Sequence, residues 1–524
     1  MRDLPKDVQR IAIVVIVGAI MSILDTTIVN VALETLRVDL DAPLSTIQWV
    51  STGYLLALAS VIPLTGWAAE RFGPRRVWLT VVSAFVVTSG LCGLAWNVES
   101  LIAFRVLQGA AGGMIMPVGM ITLAQAAGPQ RMGRVMSVVG VPMLLAPILG
   151  PVLGGLILDS ISWRWIFLVN LPVGAVGLVL AARLLPRERA VGNVGAAGTD
   201  GGPPPLDWRG LVLLSPGVAL LVFGLAEYGT ERTFFGAVTA WLPVLAGLVA
   251  IVTFVVRAWS TAHPLVDVRL FRSPGFSAAA ATTFLVGTAL FGSMLLLPLY
   301  YQLARGESAL VAGLLLVPQG LGAALAMNVG GRLTDRIGAG PVVLGGLTIL
   351  SAGTVVFCFV GPDTSYWLLG GGLFLRGLGL GATMMPSMAA AYATLERSQV
   401  PRATPQLNVL QRVGGSLGAA LLTVLLQNRI TSELAAANGG AGVTGGDGFS
   451  GAPLSDAARE RVADPLASAF AHTYWWALAL TLAAFVPALI LARVEGRARR
   501  QASATAADEA RRANADPSGV AAAA

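Results

Sequence analysis

Fourteen apolar runs follow one another along the chain, each about as long as a bilayer-crossing helix. They cover 11–33, 47–69, 77–96, 100–123, 134–158, 164–183, 208–227, 234–256, 274–300, 309–331, 341–360, 366–390, 402–428 and 470–493. A spanning helix needs roughly 20 mostly apolar residues, and hydrocarbon offers the backbone no hydrogen-bond partner outside its own helix. The runs therefore predict an all-α integral membrane protein. Composition agrees: 55% of the 524 residues are hydrophobic and 12% charged, against about 25% charged in soluble domains. The first run is not a secretory signal, because it is too long and no small-residue cleavage site follows it. Most connectors are short. The Gly/Pro-rich 184–207 reads as a flexible linker, 257–273 is a second connector, and 429–469 is a long loop containing "NGGAGVTGGDGFSG". The polar, Ala-rich 494–524 reads as a disordered tail.

An even number of spans puts both termini on one face. That face then holds 25 of the 35 Lys and Arg residues; the opposite face holds seven, and Arg105, Arg376 and Arg412 lie inside spans. Cytoplasmic connectors attract positive charge, so both termini are expected in the cytoplasm, with the chain in the inner (cytoplasmic) membrane. The same placement explains the net charge of +7 without nucleic acid. Trp49, Trp67, Trp96, Trp163, Trp208, Trp367 and Trp475 fall near span ends, as an interfacial belt requires. Cys92 and Cys358 sit in apolar runs, and His263 and His472 are far apart, so neither a disulfide framework nor a metal site is expected. No phosphate-cradling loop with its Lys occurs, which argues against ATP hydrolysis. No cofactor and no enzymatic activity are expected, and the chain is expected to be a monomer.

The chain also repeats itself. "GWAAERFG" (66–73) closes the second span and "GGRLTDRIG" (330–338) the tenth, both with Gly-x-x-x-acid-Arg-x-Gly. "RVLQGAAGGMIMP" (105–117) follows the first and "RGLGLGATMMP" (376–386) the second. Two six-helix bundles, 1–183 and 274–493, are expected, with two additional linker helices in 184–273. Parallel repeats of this kind build transporters whose substrate site lies near the midplane between the halves.

In this order the motifs resemble the major facilitator superfamily, and within it the fourteen-helix drug:proton antiporters of multidrug efflux type. "LDTTIVNVAL" resembles the family's first-helix motif, "GWAAERFGPRR" its cytoplasmic loop signature and "RVLQGAAGG" its fourth-helix motif. "GPVLGG" (150–155) resembles the antiporter motif of the fifth helix, and "WRWIFLVNLPVG" and "QRVGGSLGAAL" also resemble family stretches. Glu70 stands where the family usually has Asp, Pro74 where a basic residue is common, and Glu34 where Pro is usual. The resemblance implies alternating access, with protons and small molecules as partners and the lipid bilayer as solvent.

Asp25 is the residue most in need of explanation. A carboxylate at mid-span costs about 2.5–3.5 kcal/mol on insertion scales, so it should face the bundle interior and find a partner. Arg105 lies at similar depth, four residues before Gly109, whose lack of a side chain is expected to let the two helices approach. Desolvation and a neighbouring Arg pull a carboxylate in opposite directions, a balance suited to loading and losing a proton. A fixed ion pair that only orients two helices is the alternative. Family resemblance favours the proton role, with Glu34 as the next candidate.

Gly66, Glu70, Arg71, Gly73 and Arg75 form a short loop that enforces topology or acts as a latch. As a latch, Glu70 would accept from the N-terminal N–H groups of a helix in the other half. The resemblance places that partner near Arg402 to Thr404, and Asp335 with Arg336 would repeat the device. Gly140, Gly150, Gly154 and Gly155, with the helix-bending Pro147 and Pro151, are expected to pack closely against a helix of the other half and seal the cavity on one side. Candidates for the substrate cavity are Met114, Met116, Phe284, Phe291, Met294, Gln319, Arg376, Met384, Met385, Asn408, Gln411 and Arg412. Flexible Met and flat aromatic side chains suit an accommodating pocket.

Three functions are compatible with these features. The first is a proton-coupled exporter of hydrophobic or cationic small molecules. The second is an exporter of one endogenous metabolite or lipid. The third, a non-transporting membrane sensor, is disfavoured by the intramembrane charges.

Overall fold

The computed structural model describes residues 4–128, 131–186, 205–230, 238–396, 398–437, 456–497 and 500–501. The core of the predicted linker, the tip of the long loop and the tail lie outside the described residues. Helix α1 (Lys6–Asp39) is the first span. After the short α2 (Leu44–Ile47), α3 (Trp49–Val61) and α4 (Leu64–Phe72) form the second span, bent by 56°. The bend falls at Pro63, which has no N–H to continue the ladder. Spans three to five are α5 (Pro74–Gly93), α6 (Val98–Ala127) and α7 (Met132–Ser160); α8 (Trp165–Leu168) and α9 (Asn170–Leu184) make the sixth. The additional pair is α10 (Trp208–Thr230) and α11 (Val238–Ser260). Span nine is α12 (Pro274–Leu299), and α13 (Ala309–Leu315) leads into α14 (Val317–Ile337). Then follow α15 (Ala339–Phe357), α16 (Tyr366–Ala393), α17 (Val400–Ala437) and α18 (Asp456–Ala483), which continues as helix over 485–497.

Among the described residues twelve helices are long and apolar enough to cross a membrane, and the bent pair is a thirteenth. The 29-residue α7 fills the remaining, fifth place. One boundary differs plainly from expectation. Much of the predicted 429–469 loop is helical, because α17 runs on to Ala437 and α18 starts at Asp456. "SELAAA" and "DAARERVADPLASAF" are rich in strong helix formers, and propensity carries both helices beyond the apolar run.

The repeat is visible in the packing. A Cβ on Gly109 or Gly113 of α6 would overlap the carbonyls of Tyr54 and Leu58 in α3; one on Gly377 or Gly381 of α16 would overlap those of Gln319 and Ala323 in α14. The same one-turn glycine pair thus seats the fourth span of each set on its second span. In this register Arg376, the residue before Gly377, matches Gln108 rather than Arg105. Gly73 and Gly338 both take positive φ (83° and 101°), which lets each loop signature turn directly into the next helix.

The hydrophobic core shows how the two sets of spans meet. One continuous cluster joins both sets: it includes Met136 and Val139 of α7 together with Met327, Met385 and Leu407. On the opposite face the core divides. Ile28, Val50, Leu101 and Phe167 belong to one cluster, and Leu297, Tyr301, Leu373 and Phe470 to another. The sets are therefore closed at the basic face and parted at the opposite face.

Helices α10 and α11 lie along the seam between the second and thirteenth spans. Ala59, Leu64 and Trp67 cluster with Leu214, Val218 and Phe254, and with Val409 and Val413 of α17; Trp49 stacks on Phe223 at 5.8 Å. Asp207 fixes the entry to α10. It accepts from Gly210 N–H (2.9 Å), Leu265 N–H (3.2 Å) and Arg257 Nη1 (2.9 Å). Burial works against its ionisation, but these bonds outweigh burial and hold its carboxyl below the ordinary range. Gln406 Nε2 of α17 donates to the Asp267 carbonyl at 2.7 Å, tying the connector to the seam.

Gly109→Val should lower the unfolding temperature of the detergent-purified protein by several degrees, since overpacking a tight contact costs about 1–3 kcal/mol. Gly155→Ala, with open space around its Cα, should melt as wild type. Equal melting of the two variants would contradict the glycine-seated packing.

Candidate functional site: a buried charge pair joined to two basic-face locks

Asp25 is 1% exposed, and so is Arg105. Arg105 Nη1 donates to Asp25 Oδ2 at 2.6 Å. Oδ1 accepts from Gln108 Nε2 (3.0 Å) and Asn170 Nδ2 (2.8 Å). Arg105 Nη1 also reaches Gln108 Oε1 (2.8 Å), and its Nε donates to the Val50 carbonyl of α3 (3.1 Å). Its guanidinium lies 4.0 Å from the Tyr54 ring centroid. Asn170 further donates to Ser89 Oγ (3.0 Å), which donates to the Phe167 carbonyl (2.9 Å). Polar groups from five spans thus converge in the buried core. Burying two charges costs several kcal/mol per ion, repaid only when the pair is close and its remaining valences are bonded; here both carboxylate oxygens are bonded.

The sequence pairs Asp25 with Arg105 correctly but assigns no role to Gln108, Asn170, Ser89 or Tyr54. Gln108 follows Arg105 by three residues, hence on the same helix face, and Asn170 interrupts "WIFLVNLPVG"; both are isolated polar groups inside apolar runs. The role expected of Gly109 also changes: it admits α3, not α1. The approach of α1 to α6 runs instead through Gly18, where a Cβ would meet Ile115 at 2.9 Å, and Gly119, where it would meet Val15 at 2.8 Å. The side chain of Glu34 lies outside the described residues.

Two locks hold the basic face. Arg402 Nε lies 3.0 Å from Glu70 Oε1, and beside them Gly66 presses on the Pro401 carbonyl so closely that a Cβ would overlap it. Arg134 Nε lies 3.1 Å from Asp335 Oδ2, and beside them a Cβ on Gly331 would stand 2.6 Å from the Gly133 carbonyl. Each lock joins the second span of one set to the fifth span of the other. Glu70 finds its partner at the expected place, but the donor is the Arg402 side chain and not helix N–H groups. Pro401, at the start of α17, has no N–H to give. Arg75 Nη2 donates to the Ala182 carbonyl (3.0 Å) within its own set, and Arg71 and Arg336 lie exposed on the basic face.

The antiporter motif packs differently from expectation. A Cβ on Gly150 would overlap Thr27, and Gly154 faces Ile28 at 3.5 Å, so this part of α7 packs on α1 of its own set. Gly155 has open space, and the side chains of Pro147 and Pro151 are outside the described residues. Nearer the basic face Gly140 does meet the other set, with a Cβ 2.9 Å from Met327 and Met385. The motif thus abuts Asp25's own helix two residues beyond the carboxylate.

The cavity candidates separate into groups. Met114, Met384 and Met385 belong to the closed core, and Met116 packs against it. Gln319 offers its carbonyl to Gly377, Phe284 lies at Gly414, and Gln411 lies at Gly287. Asn408 bonds the Thr404 carbonyl of its own helix at 2.9 Å. Phe291 and Met294 are exposed. Arg376 is buried beside Phe357 and Tyr474, with Nε and Nη1 unpartnered. Arg412 is exposed although it lies deep within α17.

Residues 15–419 match the profile of the Major Facilitator Superfamily. A "Multidrug resistance protein B homolog" of Mycobacterium tuberculosis is 40% identical over 511 residues, covering 94% of this chain and 91% of that protein. The "Multidrug export protein EmrB" of Haemophilus influenzae is 33% identical over 412 residues, 78% of each chain. Among solved structures, the human organic anion transporter MFSD10 superposes with a TM-score of 0.58 at 16% identity, over 91% of this chain and all of that one; at that identity the likeness is one of fold.

Arg105→Leu should destabilise the protein by about 3–5 kcal/mol, because the carboxylate stays buried without its cation. The double variant Asp25→Leu/Arg105→Leu should recover most of the loss. Thermal unfolding in detergent reads both, and equal melting of single and double variants would show that the pair does not organise the bundle.

Proposed function

The chain belongs to the Major Facilitator Superfamily, and on that footing we propose that it is a proton-coupled multidrug exporter working by alternating access. The observation that carries this reading is the buried Asp25–Arg105 pair, set beneath a parted opposite face and above two closed locks. The moving units are the bundles 1–183 and 274–493. The basic face is cytoplasmic, and the 25-to-seven distribution of positive charge supports this orientation. The names of the two bacterial relatives support drug export as the biological role, and the bacterial inner membrane is its place.

In this conformation the cytoplasmic side is shut and substrate leaves to the outside. A proton arriving from that side neutralises Asp25, removes the ionic attraction that holds Arg105 and weakens the three hydrogen bonds that the carboxylate accepts. Two mechanical connections lead from the pair to the locks. Arg105 grips the Val50 carbonyl of α3, whose continuation α4 carries Glu70. Thr27 and Ile28, next to Asp25, press on Gly150 and Gly154 of α7, whose first turn carries Arg134. A shift of α1 and α6 is thereby felt at both locks, which open the cytoplasmic side for the next substrate. Reionisation of Asp25 toward the cytoplasm closes the cycle. Export of one endogenous metabolite would use the same machinery, and a substrate panel separates the two.

Asp25→Asn should abolish substrate movement driven by a pH gradient in proteoliposomes while one-for-one substrate exchange persists. Wild-type rates of gradient-driven transport in this variant would make the carboxylate structural only. Breaking a lock with Glu70→Ala should shift the bundles toward the cytoplasm-open arrangement with modest energy, about 0.2–1 kcal/mol for a partly exposed pair. Spin-label distances across the cytoplasmic side measure it, and an unchanged distribution would remove the lock from the mechanism. A cysteine at Val443 should be labelled from outside intact cells; labelling only after lysis would invert the orientation.

A further inference from the structure

Two arginines, Arg376 and Arg412, lie well inside the last six spans, and α12, the counterpart of α1, contains no acidic residue. Arg412 lies twelve residues beyond Val400, about 18 Å along a helix that rises 1.5 Å per residue. That is near the middle of a hydrocarbon layer about 30 Å thick. It is nevertheless exposed, and exposure of an arginine to lipid at that depth is costly. Helix geometry gives it another outlook. Pro401 and Pro405 form the face of α17 that meets Gly66 of α4. Arg412 follows Pro405 by seven residues, two turns along the same face, so it looks toward the first six spans. Tyr54 lies within electrostatic range on that wall. Leu407 still belongs to the shared core, but beyond it the core divides. The guanidinium therefore looks into the cleft that opens at the opposite face.

Within that cleft Arg412 has no hydrogen bond or ion pair to another described residue. Asp25 cannot supply one, because its oxygens are taken by Arg105, Gln108 and Asn170 and its side chain is shut off. One turn farther along α17, Gly415 leaves room for the Phe291 ring of α12, which a Cβ there would meet at 2.9 Å. Phe291 is 40% exposed. A cation without a partner among the described residues and an exposed aromatic side chain thus lie about one helical turn apart along α17.

We infer that the central cleft binds amphiphiles that carry a carboxylate, with Arg412 receiving the carboxylate and Phe291 the apolar body. A guanidinium fork matches the two oxygens of a carboxylate and loses less hydration than an ammonium on binding. This rests on the reading of the cleft as the transport path, and it adds an anionic class to the hydrophobic and cationic molecules expected from the sequence.

The probes are 4-(1-pyrenyl)butyrate, its methyl ester and a pyrenyl quaternary ammonium of equal length, binding to the purified full chain read by energy transfer from tryptophan. The carboxylate should bind about tenfold tighter than the ester, the ratio expected for one charge-assisted contact. Arg412→Gln should abolish that preference by weakening the carboxylate alone, and Arg412→Lys should keep part of it. Phe291→Ala should weaken carboxylate and ester alike. Equal binding of carboxylate and ester to wild type, or an undiminished preference in Arg412→Gln, would overturn the inference. Transport is a separate readout: selective carboxylate binding with no pH-driven movement of any probe would refute the exporter and keep the anion site. Movement of ester and ammonium without carboxylate preference would do the reverse.

Discussion

The ion pair between Asp25 and Arg105 is the interaction on which the arrangement of the first six spans depends. Membrane helices gain little from burying apolar surface against one another, since lipid is as apolar as a leucine. A buried charge is different, because it has no acceptable alternative to its partner. Asp25 draws in α1, α6 and α9, Arg105 adds α3, and Ser89 adds α5. Each of these contacts specifies rotation and depth as well as proximity. Glycines then set how near the helices come, and close packing does the rest.

The two sets of spans share a backbone plan and differ in their electrostatics. Both seat the fourth span on the second through a one-turn pair of glycines, and both end the second span in a loop that locks onto the far set's fifth span. Yet the first set neutralises its buried arginine, whereas the second leaves Arg376 with unpartnered donors and Arg412 facing the cleft. Repetition supplies the backbone plan, and departure from repetition decides which buried charges are paired. The same division appears in the locks. Glu70–Arg402 and Asp335–Arg134 occupy equivalent places in the repeat, but only the former is flanked by α10 and the Asp207 connector.

Much of this was legible in the sequence because its signals are local or forced by the solvent. Span number, the repeat and the Asp25–Arg105 pairing follow from run length, motif order and matched depth. What stayed hidden depends on rotation about helix axes. Which neighbour Gly109, Gly150 or Gly154 admits is decided by a turn of some tens of degrees, and no single-sequence pattern in an all-apolar helix records that angle. Gln108 and Asn170 were visible as polar exceptions, but their convergence on one carboxylate needed three helices placed at once. The helical extensions of α17 and α18 were missed because apolar run length marks where lipid ends, not where a helix does.

The position of α10 and α11 gives the molecule a front and a back as seen from the bilayer. Two lateral seams separate the sets of spans. The seam between α3 and α17 is roofed by the additional pair, while at the other α7 and α14 pack directly on each other. One flank therefore presents an added helix pair to the bilayer, and the other presents the directly packed seam of α7 and α14. On the reading of the chain as an alternating-access exporter, release of the two ion pairs would part the tight contact beside Gly133 and Gly331 directly into lipid. On the same reading, lateral entry from the bilayer would favour that side, and a lipid or protein settled against α7 and α14 would regulate it without touching the cleft itself.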